Sequence, residues 1–202
     1  MTANKDWLVD IELEGESLVL APLQSMHRNA LVQAAADGEL WNLWYTSVPS
    51  ETSIDDYVEF ALNQRALHRS LPFVVLDKST QEVIGSTRFC NVEPEHRRVE
   101  IGYTWYSKRF QRTTVNTECK YLLLQHAFER LNVMAVEFRT HWHNHASREA
   151  ISRLGAKQDG VLRNHRKDKD GAYRDTVVFS ILDQEWPTVK TDLAFKLGYA
   201  SK

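Results

Sequence analysis

The chain has 202 residues, a hydrophobic content of 43% and a formal net charge of −2. This length fits one domain, and the charge gives no general attraction to nucleic acid or to anionic membranes. No apolar run approaches the roughly 20 residues of a membrane-spanning helix, and the polar N-terminus lacks the apolar region of a signal peptide. Two cysteines, Cys90 and Cys119, are too few for a disulfide framework. We therefore expect a cytoplasmic chain whose thiols are packed and reduced.

The first third of the chain predicts one strand and two helices. In order, these are a strand at residues 17–20, a helix at residues 27–36 and a helix from residue 54 to about residue 70. The second helix opens on Ser53-Ile54-Asp55-Asp56, which resembles a capping box. Between the two helices lies an aromatic segment that contains Trp41, Trp44 and Tyr45.

The remaining pattern predicts a sheet with further helices. Strands are expected at residues 73–76, 83–89, 99–105, 133–140, 160–163 and 173–182, and helices at residues 116–131 and 146–154. In the strand at residues 99–105, the apolar residues Val99, Ile101, Tyr103 and Trp105 alternate with polar ones, which places Glu100 on the opposite face. The order β-α-α-β-β-β-α-β-α-β-β predicts a mixed sheet of seven strands with helices on its faces.

Two strand-to-helix junctions carry the strongest functional signal. The first is Gln111–Glu118, and the second is Asn144–Ser147, which opens a short helix. Such a turn leaves backbone N–H groups without partners, and these can receive phosphate oxygens. Lys108, Arg109 and Arg112 add local positive charge. Two junctions in succession suggest a cofactor with a pyrophosphate and a long tail, and the alternative is a plain helix N-terminus behind a solvated, arginine-rich turn.

These segments carry a resemblance to a known family. The segments are Glu100-Ile101-Gly102-Tyr103, the loop Gln111–Asn116, Asn116-Thr117-Glu118, Asn144-x-x-Ser147, Leu154-Gly155-Ala156 and the closing strand Arg174–Ile181. With them the chain resembles the GNAT superfamily of N-acetyltransferases, in its RimJ/RimL-like branch, over about residues 15–187. The loop of that family reads Gln/Arg-x-x-Gly-x-Gly/Ala, whereas this chain has Thr114 and Asn116 at the two glycine positions. We therefore expect ordinary backbone angles at Thr114, or weakened cofactor binding.

The resemblance implies the fold and the cofactor. It implies one domain, residues 1–202, of the α/β (α+β) class with the GNAT fold, a mixed, mostly antiparallel seven-stranded sheet, and short extensions beyond residues 15–187. It implies acetyl-CoA as co-substrate, and no metal. The residues implied to bind acetyl-CoA are Trp105, Tyr106, Gln111, Arg112, Thr113, Thr114, Val115, Asn116, Thr117 and Asn144. Of these, Trp105 and Tyr106 would act through backbone N–H groups that hold pantetheine and the acetyl carbonyl.

Two residues are candidates for catalysis. Glu100 lies in mid-strand on the polar face and is the candidate to accept the proton of the amine, directly or through water. The alternative is an exposed strand glutamate paired with Arg88, Arg97 or Arg98. The resemblance implies that Ser147 lies near the sulfur of CoA and protonates the departing thiolate. The alternative is that Ser147 is only the third residue of its helix and assists capping with Asn144.

Aromatic residues are candidates for the acceptor site. If the aromatic segment is helical, Trp41 and Trp44 share a face, and the resemblance implies that they form the acceptor lip together with Tyr45. Core packing is the alternative. His141 is expected to border the substrate cleft. His141, His143 and His145 could suggest a metal site, but His145 is expected in the helix and no further ligand has suitable spacing.

Three functions can be compared at this stage. The first is direct acetyl transfer from acetyl-CoA to a primary amine, either a protein N-terminus or a small amine or aminoacyl compound. The second is a non-catalytic acyl-CoA-binding regulatory module, supported by the two replaced glycines. The third is nucleic-acid binding through the basic cluster Arg163, His165, Arg166, Lys167 and Lys169, which the net charge disfavours. No nucleic acid and no membrane are expected as partners, and a homodimer through an apolar edge of the final strand is left open.

Overall fold

The computed structural model describes residues 7–168 and 170–199. The strands are β1 (Leu13–Glu14), β2 (Leu18–Pro22), β3 (Leu71–Asp77), β4 (Val83–Glu93), β5 (Arg98–Tyr106), β6 (Ala135–His141), β7 (Lys157–Lys167) and β8 (Tyr173–Leu182). The helices are α1 (Arg28–Ala36), α2 (Ile54–Ala66), α3 (Val115–Glu129), α4 (His145–Arg153) and α5 (Trp186–Leu197). None of the helices in this described part is both long enough and apolar enough to cross a membrane.

All the strands belong to one mixed sheet in the order β1-β2-β3-β4-β5-β6-β8-β7. Among the described strands, only β5 and β6 pair in parallel, and the other neighbours are antiparallel. The predicted class, a mostly antiparallel mixed sheet flanked by helices, is therefore confirmed. The predicted count of seven strands is wrong, because Leu13–Glu14 adds an eighth strand against β2. Two residues are too short to show the alternation on which a strand prediction depends.

Helix α5 was missed by the sequence prediction, which placed only a short extension beyond residue 187. Trp186, Val189 and Leu193 of α5 are buried in the main core cluster, and the helix packs on α3. The spacing of these three residues is helical, and Pro187 stands in the first turn, where it is tolerated. Residues 1–6 of the predicted N-terminal extension, and Lys169 of the basic cluster, lie outside the described residues.

The sheet separates two layers of helices. Helices α3 and α5 pack on one face, where the main core cluster also includes Ile151 and Leu154 from and beside α4. Helices α1 and α2 pack on the other face around a smaller cluster that includes Trp105. Cys90 and Cys119 are both unpaired and buried, which confirms the prediction that they pack in the interior.

A bulge in β5 overturns the predicted alternation of that strand. Ser86 pairs with Trp105, but Arg88 pairs with Gly102, so β5 contains one extra residue. Tyr103 lies at this point with φ of 53°, and its side chain is exposed rather than in the core. The extra residue reverses the faces of the residues that follow. Val99 and Ile101 therefore face α3, whereas Trp105 faces α1 and α2.

The final strand does not form an edge of the sheet. Strand β8 lies between β6 and β7 and pairs with both of them. The chain turns at Gly171, and the first strand of this hairpin, β7, takes the outer position. An edge-to-edge homodimer through the final strand is therefore ruled out by the topology.

Candidate active site

The parallel strands β5 and β6 separate at Glu100. Their pairing is limited to Arg98–Glu100 against Ala135–Glu137, although β5 continues to Tyr106 and β6 to His141. Glu100 and Glu137 are directly opposite each other in the last pair. Beyond this pair the two strands form a gap in the sheet, which we call the strand opening. Its edges carry backbone groups that no sheet partner uses.

Tyr106 presents its backbone to the strand opening. The N–H of Ser107 donates to the carbonyl of Ile84 in β4 at 2.8 Å, and the Trp105 carbonyl lies against Gly85. Because successive residues of a strand direct their backbone groups to opposite sides, the N–H of Tyr106 points away from β4 and towards β6. Of the two backbone sites predicted from the sequence, the structure places Tyr106 at the opening and turns Trp105 towards β4.

The side chains around this point hold the end of β5 in place. The Nε2 of Gln111 donates to the carbonyl oxygen of Tyr106 at 3.0 Å. The indole Nε1 of Trp105 donates to the hydroxyl of Tyr57 in α2 at 3.3 Å. Gln111 is therefore a side-chain support of the opening, and Trp105 contributes packing on the α1 and α2 face.

The loop that leads into α3 leaves several N–H groups without acceptors. Among the described residues, no hydrogen bond is made by the N–H groups of Arg112, Thr113, Thr114, Asn116 and Thr117. The first bond of the helix runs from the N–H of Glu118 to the carbonyl of Thr114 at 2.9 Å. The side chain of the N-cap residue Thr114 makes no capping hydrogen bond within the described residues, and the hydroxyl of Thr113 accepts only from the N–H of Val115, at 3.3 Å. The loop can therefore offer a cluster of donors, and a helix dipole, to an anion.

The two replaced glycines cause no backbone strain. Thr114 has φ of −70° and ψ of −14°, which are ordinary right-handed angles, and Asn116 lies within α3. The one residue of this loop with positive φ is Arg112, at 62°. The sequence left two expected outcomes, ordinary backbone angles at Thr114 or weakened cofactor binding. The structure has the ordinary backbone angles.

The side chains of the loop have different environments. The hydroxyl of Thr113 donates to the carbonyl of Phe110 at 2.7 Å, and the side chain of Val115 is buried in the core. Arg109 forms an ion pair with Glu82. Arg112 is exposed and has no ion pair within residues 7–168 and 170–199. Of the two arginines at this loop, Arg112 is thus the one whose charge is not matched by a carboxylate of the described residues.

Glu100 is buried at the apex of the strand opening. Its side chain accepts a hydrogen bond from the amide of Asn91 at 2.6 Å, and Arg139 lies 3.6 Å from the same carboxylate oxygen. The predicted alternative pairing with Arg88, Arg97 or Arg98 is wrong. Arg98 pairs with Glu137, Arg97 donates to a backbone carbonyl, and Arg88 has no hydrogen-bond partner among the described residues.

The environment of Glu100 adjusts its basicity. Burial raises the pKa of its carboxyl, the Asn91 bond and the Arg139 charge oppose this rise, and the nearby Glu137 adds to it. Glu137 keeps its own pKa low because its carboxylate binds both Arg98 and Arg139, which outweighs its burial. A buried carboxylate with a raised pKa is a better proton acceptor than an ordinary one.

Gly102 leaves the space that the Glu100 carboxylate occupies. A Cβ atom at position 102 would lie 3.0 Å from Oε1 of Glu100 and 3.1 Å from Sγ of Cys90. Both contacts are tighter than ordinary packing. The glycine in the sequence Glu100-Ile101-Gly102 therefore allows the carboxylate to lie flat on the sheet.

Ser147 and Asn144 form the N-terminus of α4. The side chain of Asn144 accepts from the N–H of Ser147 at 3.0 Å, as capping predicts. The hydroxyl of Ser147 is half-buried and makes no hydrogen bond to any residue of 7–168 and 170–199. The cap thus uses the backbone of Ser147 and leaves its hydroxyl available.

The aromatic segment divides into a core residue and a surface residue. The condition under which Trp41 and Trp44 would share one helical face is not met, because the helical turn of this segment, Leu40–Asn42, ends before Trp44. Trp41 packs against the α1 and α2 core. Trp44 is 61% exposed, and its ring contacts Tyr45 at 5.5 Å and His141 at 4.9 Å between centroids.

His141 ends β6 next to this aromatic pair. Its Nδ1 accepts from the N–H of His143 at 3.0 Å, and its Nε2 is 3.6 Å from Asp168, beyond hydrogen-bond distance. Burial and the charge of Arg174 lower the pKa of the imidazole. His145 lies in α4, as predicted. Within the described residues, no group of three His, Cys, Asp or Glu side chains is arranged to hold a metal ion.

Sequence reasoning missed several residues at this site. Arg139 and Asn91, which contact Glu100, and the group of Arg88, Tyr57 and Tyr103 come from three strands and a helix. The alternation of side chains along a strand predicts the face of the sheet on which a residue lies, but it does not predict which residues of other strands lie next to it. Only the tertiary fold brings these side chains together.

The sequence of this chain is similar to those of known acetyltransferases. The family described as the acetyltransferase (GNAT) domain matches residues 17–157, more than half of the chain. The chain is 26% identical over 178 residues to an uncharacterized N-acetyltransferase, p20, of Bacillus licheniformis, with 85% of this chain and 96% of the relative covered. The chain therefore belongs to the GNAT acetyltransferase family, and its class is that of the N-acetyltransferases.

Solved structures extend the comparison to the whole fold. A provisionally assigned acetyltransferase from T. thermophilus is 36% identical, with a TM-score of 0.82 and coverage of 95% of this chain and 99% of that one. RimJ of Mycobacterium smegmatis, solved in complex with CoA-disulfide, is 20% identical, with a TM-score of 0.76 and coverage of 96% and 97%. The latter similarity concerns the fold.

Proposed function

We propose that this chain transfers an acetyl group from acetyl-CoA directly to a primary amine at the strand opening. The observation that carries the proposal is the separation of β5 and β6 at Glu100, beside a loop with five unpaired N–H groups. The strand opening then brings together a proton acceptor, a path for an extended chain and an anion site. No other part of the described structure combines these three features.

Acetyl-CoA would bind along the opening with its pyrophosphate at the start of α3. The N–H groups of Arg112–Thr114, with those of Asn116 and Thr117, would receive phosphate oxygens, and the Arg112 side chain would add a charge-assisted bond. The N–H of Tyr106 would hold the pantetheine or the acetyl carbonyl. The fold similarity to RimJ, whose structure contains CoA-disulfide, supports this placement.

The transfer requires two proton movements. The amine nitrogen attacks the acetyl carbonyl carbon, and Glu100 accepts the proton that the nitrogen loses, directly or through water. The carbon–sulfur bond then breaks, and the hydroxyl of Ser147 donates a proton to the departing thiolate. Glu100 then releases its proton to water, and the Ser147 oxygen takes up a proton from water, so that both residues return to their starting states and the products are an N-acetyl amide and CoA with a free thiol.

The acceptor would approach from the α1 and α2 side of the sheet. Glu100 faces this side, and an aromatic rim lies beside the end of β6, with exposed Trp44 and half-buried Tyr45 packed around the buried ring of His141. Trp41 is excluded from this rim because it packs against the α1 and α2 core. A protein N-terminus and a small amine or aminoacyl compound both offer the primary amine that this arrangement needs.

The test combines binding with turnover. Acetyl-CoA at about 100 times its Kd should add about 2.7 kcal/mol to the stability of the folded protein and raise its melting temperature. A panel of amino acids, small amines, aminoacyl nucleotides and N-terminal peptides is then screened for thiol release, with mass spectrometry of the product. Thiol release together with an amine product heavier by the mass of one acetyl group supports the proposal.

The same experiment separates the alternative, a non-catalytic acyl-CoA-binding regulatory module. That module would show thermal protection by acetyl-CoA and no thiol release with any acceptor class. Its sequence support, the absence of both loop glycines, is weakened by the ordinary backbone angles of Thr114. Absence of both protection and thiol release would contradict both functions.

A further inference from the structure

Arg88 is a fully buried arginine without a polar partner. Its side chain is 1% exposed, and none of its three guanidinium nitrogens has a hydrogen-bond partner within residues 7–168 and 170–199. No carboxylate of these residues lies within ion-pair distance of it. Arginine remains charged in proteins, so this charge and its five N–H donors are left unmatched by the described chain.

Aromatic rings surround the guanidinium. Its central carbon, Cζ, lies 4.2 Å from the ring centroid of Tyr103, 4.5 Å from that of Tyr57 and 5.9 Å from that of Phe60. We call these four residues the Arg88 cage. Ring faces attract a cation but accept no strong hydrogen bonds, so the edge of the guanidinium plane stays available for a planar anion.

The cage lies next to the proposed proton acceptor. Arg88 is opposite Gly102 in the register of β4 and β5, and Cys90 is opposite Glu100 two residues along. Arg88 and Glu100 therefore share one face of the sheet. They lie on neighbouring strands and are offset by two residues, which is about 6.6 Å along the strand direction. Gly102 has no side chain that could lie between them.

We propose that Arg88 binds the anionic group of the acceptor, and that the acceptor is a small compound that carries a carboxylate or phosphate close to its primary amine. The proposal rests on the proposed function and specifies its substrate class. Glu100 faces the amine end and Arg88 the anionic end, so the pair complements a zwitterion such as an amino acid. The N-terminus of a protein has a neutral amide where this anion would be.

The surrounding charges favour an anion at this place. The positive charge of Arg166 acts on both Glu100 and Tyr103, and that of Arg139 acts on Glu100. Glu137, the other acidic group beside Glu100, already binds Arg98 and Arg139. The face of the sheet between Glu100 and the cage therefore has an excess of cations.

The rings of the Arg88 cage differ in how firmly they are held, because Tyr57 is fixed and Phe60 and Tyr103 are exposed. Tyr57 is held by hydrogen bonds, since its hydroxyl contacts both Ser86 and the indole of Trp105 at 3.3 Å. Phe60 and Tyr103 are 48% and 37% exposed and lie 6.4 Å apart between centroids. The hydroxyl of Tyr103 has no hydrogen bond among the described residues. An acceptor would reach Arg88 by displacing the ring of Tyr103, because this ring is both exposed and unanchored.

The first test uses the unmodified protein and matched acceptors. L-amino acids are compared with their α-amides, and phosphoethanolamine with ethanolamine, by thiol release at saturating acetyl-CoA. A charge-assisted bond predicts kcat/KM about 10- to 100-fold higher for the anionic member of a pair. The carboxylate and phosphate pairs distinguish the two anions. Equal kcat/KM within both pairs, or a preference for N-terminal peptides over free amino acids, would overturn the proposal and leave the proposed acetyl transfer intact.

The second test assigns the preference to Arg88. In Arg88→Gln the preference for the anionic acceptor should fall by about tenfold or more, mainly through KM, while acetyl-CoA affinity is kept. Arg130→Gln is the matched control, because it makes the same substitution at an exposed arginine outside the site. Arg88→Lys keeps the positive charge but lacks the planar guanidinium group. It replaces the glutamine variant in this test if that variant does not fold. An undiminished preference in a folded Arg88 variant would exclude this residue.

A binding measurement keeps the two proposals separate. The thermal melt is repeated with an amino acid, its amide and inorganic phosphate, with and without acetyl-CoA. Stabilisation by the anions but not by the amide, lost in Arg88→Gln, supports the anion site even if no amine is acetylated. No stabilisation by any of the anions in the unmodified protein would contradict the site.

Discussion

The two halves of the candidate site differ in the chemical groups that form them, which are backbone N–H groups in one half and side chains in the other. The half at the start of α3 consists mainly of backbone N–H groups, offered by consecutive residues of one loop. The half on the α1 and α2 face consists of side chains, with Arg88 from β4, Glu100 from β5 and Tyr57 from α2. The first half is local in sequence, and the second is assembled by the fold.

This difference determines how each half responds to substitution. Backbone donors are present whatever the side chain, provided that the φ and ψ angles are kept, and Thr114 and Asn116 keep them. The acceptor half depends on the identity of each side chain and on its burial. We therefore expect small effects from substitutions in the loop and large effects from substitutions on the acceptor face.

The largest effect is expected at Glu100. Glu100→Gln should lower kcat by about 10²- to 10⁴-fold, less if water substitutes, and leave the Kd of acetyl-CoA unchanged. In the unmodified protein the rate should fall as the pH drops through the raised pKa of Glu100, because the carboxylate then binds a proton. Stopped-flow thiol release across the acidic limb, with calorimetry for acetyl-CoA, measures both quantities.

The control for Glu100 is its neighbour Glu137, which is held by two arginines. Glu137→Gln should change the position of the acidic limb, since Glu137 contributes to the raised pKa of Glu100, without removing that limb. Retention of full rate and of the same acidic limb in Glu100→Gln would disprove the role of Glu100 as base.

The next effect separates the two tryptophans. Trp41→Ala should destabilise the protein by about 3 kcal/mol, the lower end of the range for removing a large ring, because the half-buried Trp41 packs against the α1 and α2 core. Trp44→Ala should leave the melting temperature nearly unchanged and raise the acceptor KM by about 2- to 12-fold, as the loss of an aromatic contact predicts. Differential scanning calorimetry and acceptor titration on the same variants give both quantities. A large loss of stability in Trp44→Ala with an unaltered KM would place Trp44 in the core instead.

Most of the fold could be predicted from the sequence because its elements have clear periods. The alternation in β5 and the apolar face of α3 are local patterns, and they identified the elements that carry the loop. Strand β1 was too short to be found. Helix α5 had a detectable pattern in Trp186, Val189 and Leu193, but it lies at and beyond the end of the segment that resembles the family.

The bulge and the cage could not be predicted, for physical reasons. Tyr103 adopts a positive φ that is uncommon for a residue with a large side chain, and only the surrounding structure stabilises it there. Arg88 was identified only as a partner for Glu100, whereas the fold places it among rings of α2 and β5. Glu100 and the loop were identified in advance, and their roles stay predictions.

A smaller effect is expected in the backbone half. Arg112→Glu should weaken acetyl-CoA binding by about 1–3 kcal/mol through loss of one charge-assisted phosphate contact. Arg109→Glu should have a smaller effect, because Arg109 is already paired with Glu82. Isothermal calorimetry at low and high salt separates these two variants. An unchanged Kd in Arg112→Glu would argue against pyrophosphate binding at this loop.

A buried lysine joins the two halves and gives the last prediction. Lys120 of α3 is buried, and its Nζ donates to the hydroxyl of Thr104 at 2.6 Å, directly after the bulge at Tyr103. A second, longer contact reaches Thr87 at 3.4 Å, and the two threonine hydroxyls are 2.8 Å apart. The helix that begins at the loop is thus tied to the strand that carries Glu100. Burial lowers the pKa of this ammonium group.

The lowered pKa of Lys120 makes the stability of the folded protein depend on pH. Below its lowered folded pKa, Lys120 is charged in both the folded and unfolded states, so the full cost of burying the charge is present. Between that pKa and the unfolded value of about 10.4 only the unfolded state binds the proton, so the cost of burying the charge is then replaced by the cost of losing the proton. Because that second cost shrinks as the pH rises, the stability of the folded protein increases over this range. The melting temperature of the unmodified protein minus that of Lys120→Met should therefore increase from neutral pH towards a pH of about 10.

About 1 kcal/mol corresponds to about 2–4 °C in a domain of this size, so calorimetry can detect the slope. The same substitution at Lys108, which is exposed and has no ion pair among the described residues, gives the reference for loss of a lysine charge. If Lys120→Met and Lys108→Met show the same slope, the prediction that burial lowers the pKa of Lys120 is wrong.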